Sequence, residues 1–137
     1  MAPGQSAEWQ SMIALISGNV VVRGADHVVV DCGGVGYRLA VSSETLAQVP
    51  ALGQAVTLHT QLIVRDDGLY LYGFAEPDER ELFTLLLGVP SVGPKLALDV
   101  LGSAPVGELV ATIASGDAAR FTAVKGVGKR TAERIIV

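Results

Sequence analysis

The sequence predicts a chain of two parts, a small β-barrel followed by an all-α domain, and three observations carry that expectation. From Met12 to Phe74 apolar residues alternate in short β-branched runs separated by turn clusters, the pattern of strands. After Phe74 the spacing changes to three and four residues, the period of a helix. Within that second half, Val89-Pro90-Ser91-Val92-Gly93-Pro94-Lys95 returns in form as Val124-Lys125-Gly126-Val127-Gly128-Lys129-Arg130, 35 residues later.

The strands come first. Ile13–Val22 and His27–Asp31 are separated by the turn cluster Arg23-Gly24-Ala25-Asp26. Gly33-Gly34-Val35-Gly36 then breaks the chain before Tyr37–Val41, and glycine inside a barrel marks a tight bend or a bulge. Glu44–Gln48 reads as a single helical turn with Ser43 as its cap. In Val56–Val64 the residues Val56, Leu58, Thr60, Leu62 and Val64 share one face. Arg65-Asp66-Asp67-Gly68 turns the chain into Leu69–Phe74. Five or six short strands in so few residues suggest a closed barrel of the OB type rather than an open sheet.

The helices follow. Pro77 suits the first position of a helix whose apolar side holds Leu82, Phe83, Leu86 and Leu87. Pro94 opens the next, and Gly102 ends it. Pro105 opens a third, with Val106, Leu109, Val110 and Ile113 at helical spacing and Gly116 as the stop. Asp117 is placed to cap a short fourth helix through Phe121, and Arg130–Val137 is the last. That helix runs out at Ile135-Ile136-Val137 without a C-cap, as expected of a truncated chain. The expected division is an N-terminal extension at 1–11, a barrel domain at 12–74 and a helical domain at 75–137.

The repeated motif carries the chemistry. A glycine-bearing turn that feeds a helix start exposes backbone N–H groups, because the first turn has no intrahelical acceptor. Those donors lie at the positive end of the helix dipole and suit a phosphate oxygen. Without a Cβ, glycine lets a phosphate approach closely. Helix, hydrophobic-Gly-hydrophobic-Gly turn, helix and a basic residue is the layout of a helix-hairpin-helix motif. A glycine between helices is commonly a mere C-cap; duplication, with Lys95, Lys125, Lys129, Arg130 and Arg134 around the turns, favours phosphate binding. A nucleotide-binding P-loop is excluded, because Arg130 follows Gly128-Lys129 and Ala123 stands where its first glycine belongs.

Half of the residues are hydrophobic, enough for a real core, and no apolar run approaches a membrane span. The polar start lacks the regions of a signal peptide. Cys32 is the only cysteine and there are two histidines, which leaves no disulfide framework or zinc site and suits a reducing cytoplasm. The net charge of −4 excludes a uniformly cationic surface. Its distribution is uneven: from Arg120 onward there are five basic residues and one acidic, against three and six in residues 1–74.

The stretches Gly33–Tyr37, Ile63–Asp67, Leu71–Phe74, Val92–Leu98 and Gly126–Lys129 with Thr131–Arg134 resemble, in order, the first two domains of the RuvA family, bacterial proteins that bind four-way Holliday junctions. The resemblance covers Met12 to Val137. It implies an OB-like barrel and a helical domain with two helix-hairpin-helix motifs, without catalytic residues, metal or cofactor. It also implies a tetramer around an open junction, two of which can sandwich it as an octamer. The family's partners are RuvB, a hexameric ATPase that drives branch migration, and RuvC, a resolvase.

By position, Ser91, Val92 and Gly93 with Lys95 would grip one phosphate backbone, and Gly126, Val127 and Gly128 with Lys129, Arg130 and Arg134 another. Asp66 and Asp67 fall where the family carries an acidic pin at the junction centre, and Arg65 would touch DNA nearby. Read without the resemblance, Asp-Asp-Gly is simply a good hairpin turn. Ser91 stands where the family has glycine, and Pro90 precedes it. The family's third domain, which engages the motor, has no counterpart in the resemblance, so junction binding without coupling to ATP hydrolysis is expected. The competing expectations are a helix-hairpin-helix repair enzyme, a glycosylase or nuclease, and a general duplex binder.

Overall fold

The computed structural model describes residues 12–137, and the extension expected at 1–11 lies outside the described residues. Strands β1 (Leu15–Arg23), β2 (His27–Cys32), β3 (Val35–Ala40), β4 (Ala55–Arg65) and β5 (Gly68–Phe74) close a barrel in the order β1-β2-β3-β5-β4. Helix α1 (Ser43–Gln48) connects β3 to β4, and β3 meets β5 in parallel through Ala40 and Tyr72. This is the OB topology expected from the spacing of the strands.

Closure depends on β1. Its first half, Leu15–Asn19, pairs with β4, and its second half, Asn19–Arg23, pairs with β2. The strand changes partner at Asn19, just before a bulge interrupts the β2 register between Val20 and Val22. Gly18 sits at the crossing, where a Cβ would lie 2.2 Å from the Asp31 carbonyl oxygen. Val20, Val28, Val30, Leu39 and Phe74 fill the interior and are fully buried.

Several boundaries differ from the sequence expectation. Gly33 and Gly34 alone make the β2–β3 turn, with φ of 66° and 102°, so β3 begins at Val35 and includes Gly36. Both central residues at positive φ is the two-residue type I′ geometry. Val64 lies on the face of Leu58, Thr60 and Leu62 but beyond the core, and it is 40% exposed. The β4–β5 ladder runs on to Arg65 opposite Gly68, and the hairpin tip stands off the core. Ser43 is the first residue of α1 rather than the residue before it, and its hydroxyl donates to the Gly102 carbonyl at 3.0 Å.

The described chain divides into a barrel unit, through Val41 and Thr45–Arg80, and a helical unit, Ser42–Glu44 and Glu81–Val137. In the barrel unit, buried Thr45 accepts from the Ala75 N–H at 3.1 Å and donates to the buried Glu79 carboxylate. Arg80 Nη1 donates to the Ala14 carbonyl at 2.9 Å. A buried carboxylate with a hydroxyl donor avoids much of the cost of an unsatisfied charge.

The helices are α2 (Pro77–Leu87), α3 (Pro94–Leu101), α4 (Val106–Ser115), α5 (Ala118–Phe121) and α6 (Lys129–Ile136). Gly116 ends α4 in the left-handed region at φ 73°. Asp117 does not cap α5; its side chain makes no cap bond, and its N–H turns back to the Thr112 carbonyl. Phe83, Ala97, Leu101 and Ala132 are the buried residues of this unit most shielded from solvent.

Candidate nucleic-acid interface

The sequence repeat is a structural repeat. Val92 N–H closes a turn on the Val89 carbonyl at 3.1 Å, and Val127 N–H closes one on Val124 at 3.0 Å. The third residues of these turns, Ser91 and Gly126, have φ of 74° and 90°. A closing bond with positive φ at the third position is the type II pattern, which favours proline second and glycine third. Pro90 therefore suits its place, while Ser91 takes a conformation meant for glycine. Ser91 is the one non-glycine residue at positive φ among the described residues.

The residues that begin the following helices match as well. Gly93 (φ −94°, ψ 178°) and Gly128 (φ −84°, ψ 174°) are extended N-caps without a side-chain cap bond. The first α-helical bonds are Ala97 N–H to Gly93 and Ala132 N–H to Gly128, both 2.9 Å. The N–H groups of Lys95 and Leu96, and of Lys129, Arg130 and Thr131, lie before those bonds and have no intrahelical acceptor. Buried Val92 and Val127 anchor the two turns from below, as do Ala97 and Ala132 one turn later.

Charge separates the two copies. The first has Pro90 and Pro94 where the second has Lys125 and Lys129, and Pro94 also lacks an N–H. Lys95, Lys125, Lys129 and Arg130 are exposed, and among the described residues none pairs with an acid. Arg120 differs, because its guanidinium is engaged by Glu108. Arg134 differs too: its Nη1 donates to the Ser91 hydroxyl at 2.8 Å, across the two hairpins. Nothing in the linear sequence signals that link.

The acidic turn lies in the barrel unit. Asp66 and Asp67 form the two-residue loop between Arg65 and Gly68, both exposed, with neither at positive φ. Backbone strain therefore does not demand aspartate at either position. The Arg65 guanidinium lies 5.8 Å from the centroid of the Tyr70 ring, a diagonal contact across the hairpin. The Asp67 carboxylate accepts a hydrogen bond from the Tyr70 hydroxyl and holds that phenol above its ordinary pKa. Sequence reading passed over Tyr70; the register, with Tyr70 opposite Ile63 on the face of Arg65, is the signal that finds it.

Residues 12–73 match the family model of the RuvA N-terminal domain, and residues 83–137 match that of a SAM-like helix-hairpin-helix tandem. The chain is 46% identical over 126 residues to a Rubrobacter xylanophilus protein and 48% identical over 126 to one from Chloroflexus aurantiacus. Both relatives are named Holliday junction branch migration complex subunit RuvA. This chain belongs to the RuvA family.

The alignments cover 92% of the chain and 64% and 65% of those two relatives, so it spans a little under two thirds of their length. A Pseudomonas entomophila relative of the same name is 46% identical, covered over 62%. The acidic turn falls within the match to the RuvA N-terminal domain, and both hairpins fall within the tandem. Among the described residues, no single helix is long and apolar enough to cross a membrane.

Proposed function

We propose that this chain binds four-way DNA junctions by shape rather than sequence, as the non-catalytic, junction-holding subunit of a branch-migration complex. The observation that carries the reading is the hairpin pair, matched bond for bond and bearing four exposed cations that have no acidic partner among the described residues. Free N–H groups and unpaired cations at two helix starts suit two stretches of phosphate backbone. Contacts of that kind fix the register of DNA without reading bases.

The acidic turn adds selectivity. Carboxylates repel phosphates, so Asp66 and Asp67 are a liability on plain duplex and an advantage where strands must be kept apart. Fourfold assembly would bring eight such carboxylates to one axis, and a tetramer is the arrangement proposed here. The names of the relatives support a place in a branch-migration complex; an ATPase motor of the RuvB kind is the proposed partner, and the cytoplasm the proposed compartment. RuvC is the further partner proposed. The enzyme reading is disfavoured, because the relatives aligned with this chain over 126 residues are named as branch-migration complex subunits.

The test is a gel-shift competition between a labelled immobile four-way junction and excess linear duplex of the same arm sequences, at two salt concentrations. Survival of the junction complex in large duplex excess supports the proposal. Equal competition per arm would reduce the chain to a general duplex binder.

A further inference from the structure

The first hairpin is poorer in charge than the second, and its turn holds a serine in glycine's conformation. Left-handed backbone at a non-glycine residue costs free energy and persists only where its surroundings hold it. Here the surroundings include Arg134, which is half-buried on α6 and whose only partner among the described residues is the Ser91 hydroxyl. A serine hydroxyl has one proton and two lone pairs. Arg134 occupies a lone pair, so the proton remains available to an acceptor outside the protein. The turn is exposed and stands at the start of α3, beside the N–H groups of Lys95 and Leu96.

We propose that Arg134 acts on DNA through Ser91: it positions the Ser91 hydroxyl as a phosphate donor of the first hairpin and couples the two hairpins into one binding unit. This rests on the reading of the hairpins as phosphate grips. It departs from the sequence expectation that Arg134 contacts a phosphate of the second hairpin directly. Where Gly126 leaves the second turn without a side chain, Lys125 and Lys129 supply charge; where Pro90 and Pro94 remove it from the first, the Ser91–Arg134 pair supplies a polarised hydroxyl.

The experiment is a double-mutant cycle on this chain with Ser91→Gly and Arg134→Gln, binding the immobile junction over a range of salt. Thermal melts of every variant accompany it. Arg134→Gln alone should weaken binding about fivefold, the size of one net hydrogen bond, and should have little further effect once Ser91 is glycine. Arg134→Lys, which unlike glutamine keeps a cationic donor, should recover part of the loss.

A direct phosphate contact would instead give the same loss in both backgrounds and flatten the salt slope by about 0.9 in each, which would overturn the proposal. Coupling in the melts without coupling in binding would also overturn it, because the link would then be structural only. If the parent shows no junction preference, or Lys129→Ala with Arg130→Ala leaves binding intact, the hairpin reading itself has failed. That result is separate from the outcome of the cycle.

Discussion

Removing the two cations that open α6, by Lys129→Ala with Arg130→Ala, tests whether the second hairpin neutralises phosphates. Both side chains are exposed and, among the described residues, without acidic partners, so neither has an internal role whose loss would mimic a binding defect. Alanine also favours a helix, and the extended Gly128 N-cap is untouched. Each phosphate neutralised on B-form DNA contributes about −0.9 to the slope of log K against log salt. Losing two contacts should flatten the slope by about 1.8 per bound chain, a loss of about 60-fold at 0.1 M salt if affinities converge near 1 M. Duplex and junction binding should fall together, since both use the same phosphates. Fluorescence anisotropy over a salt series reads the slope directly. Arg120→Ala is the control: its guanidinium is already engaged by Glu108, so the slope should hardly change. An unchanged slope in the double variant, or an equal change in the control, would refute the reasoning.

Other outcomes follow from particular residues. Asp66→Asn with Asp67→Asn should tighten junction and duplex binding and narrow the gap between them, by about fivefold for each like-charge contact removed at about 4 Å in water; unchanged selectivity in the competition gel would leave the pair as a turn. Gly18→Ala places a Cβ 2.2 Å from the Asp31 carbonyl oxygen, so β1 must move where it changes partner. A loss of about 3 kcal/mol or more is expected in urea denaturation. For Tyr70, the Asp67 carboxylate disfavours the phenolate, so the folded pKa lies above the model-compound 10.0. The folded state's preference for the protonated phenol is present below pH 10 and fades as pH rises through the raised value. Asp67→Asn should bring the Tyr70 titration back down, which an ultraviolet difference titration against Tyr70→Phe resolves.

The barrel was legible because strands alternate with period two and their turns carry glycine, so the runs announced five or six strands, and the structure has five. The positions that failed were those where neighbours outside the run decide. Val64 has the right period, but the ladder carries it past the core. Ser43 and Asp117 have the right chemistry for caps, yet Ser43 falls inside α1, its hydroxyl donating to a carbonyl 59 positions away, and Asp117 makes no side-chain cap bond. Cap propensity is a local preference and does not by itself fix where a helix begins.

By itself the sequence determined the class of fold, the two hairpins and the acidic turn, because periodicity, glycine placement and a 35-residue repeat are properties of a line of residues. Only the tertiary structure decided that Ser91 holds a left-handed turn, that Arg134 reaches it from 43 positions away, and that Tyr70 sits between Arg65 and Asp67. Such contacts depend on which surfaces the folded chain brings within about 3 Å of a polar atom, and hydrogen bonds fade over less than the width of a side chain. A repeat is encoded locally and survives small shifts of packing. A single cross-hairpin bond does not, and it exists only once the helices have taken their places.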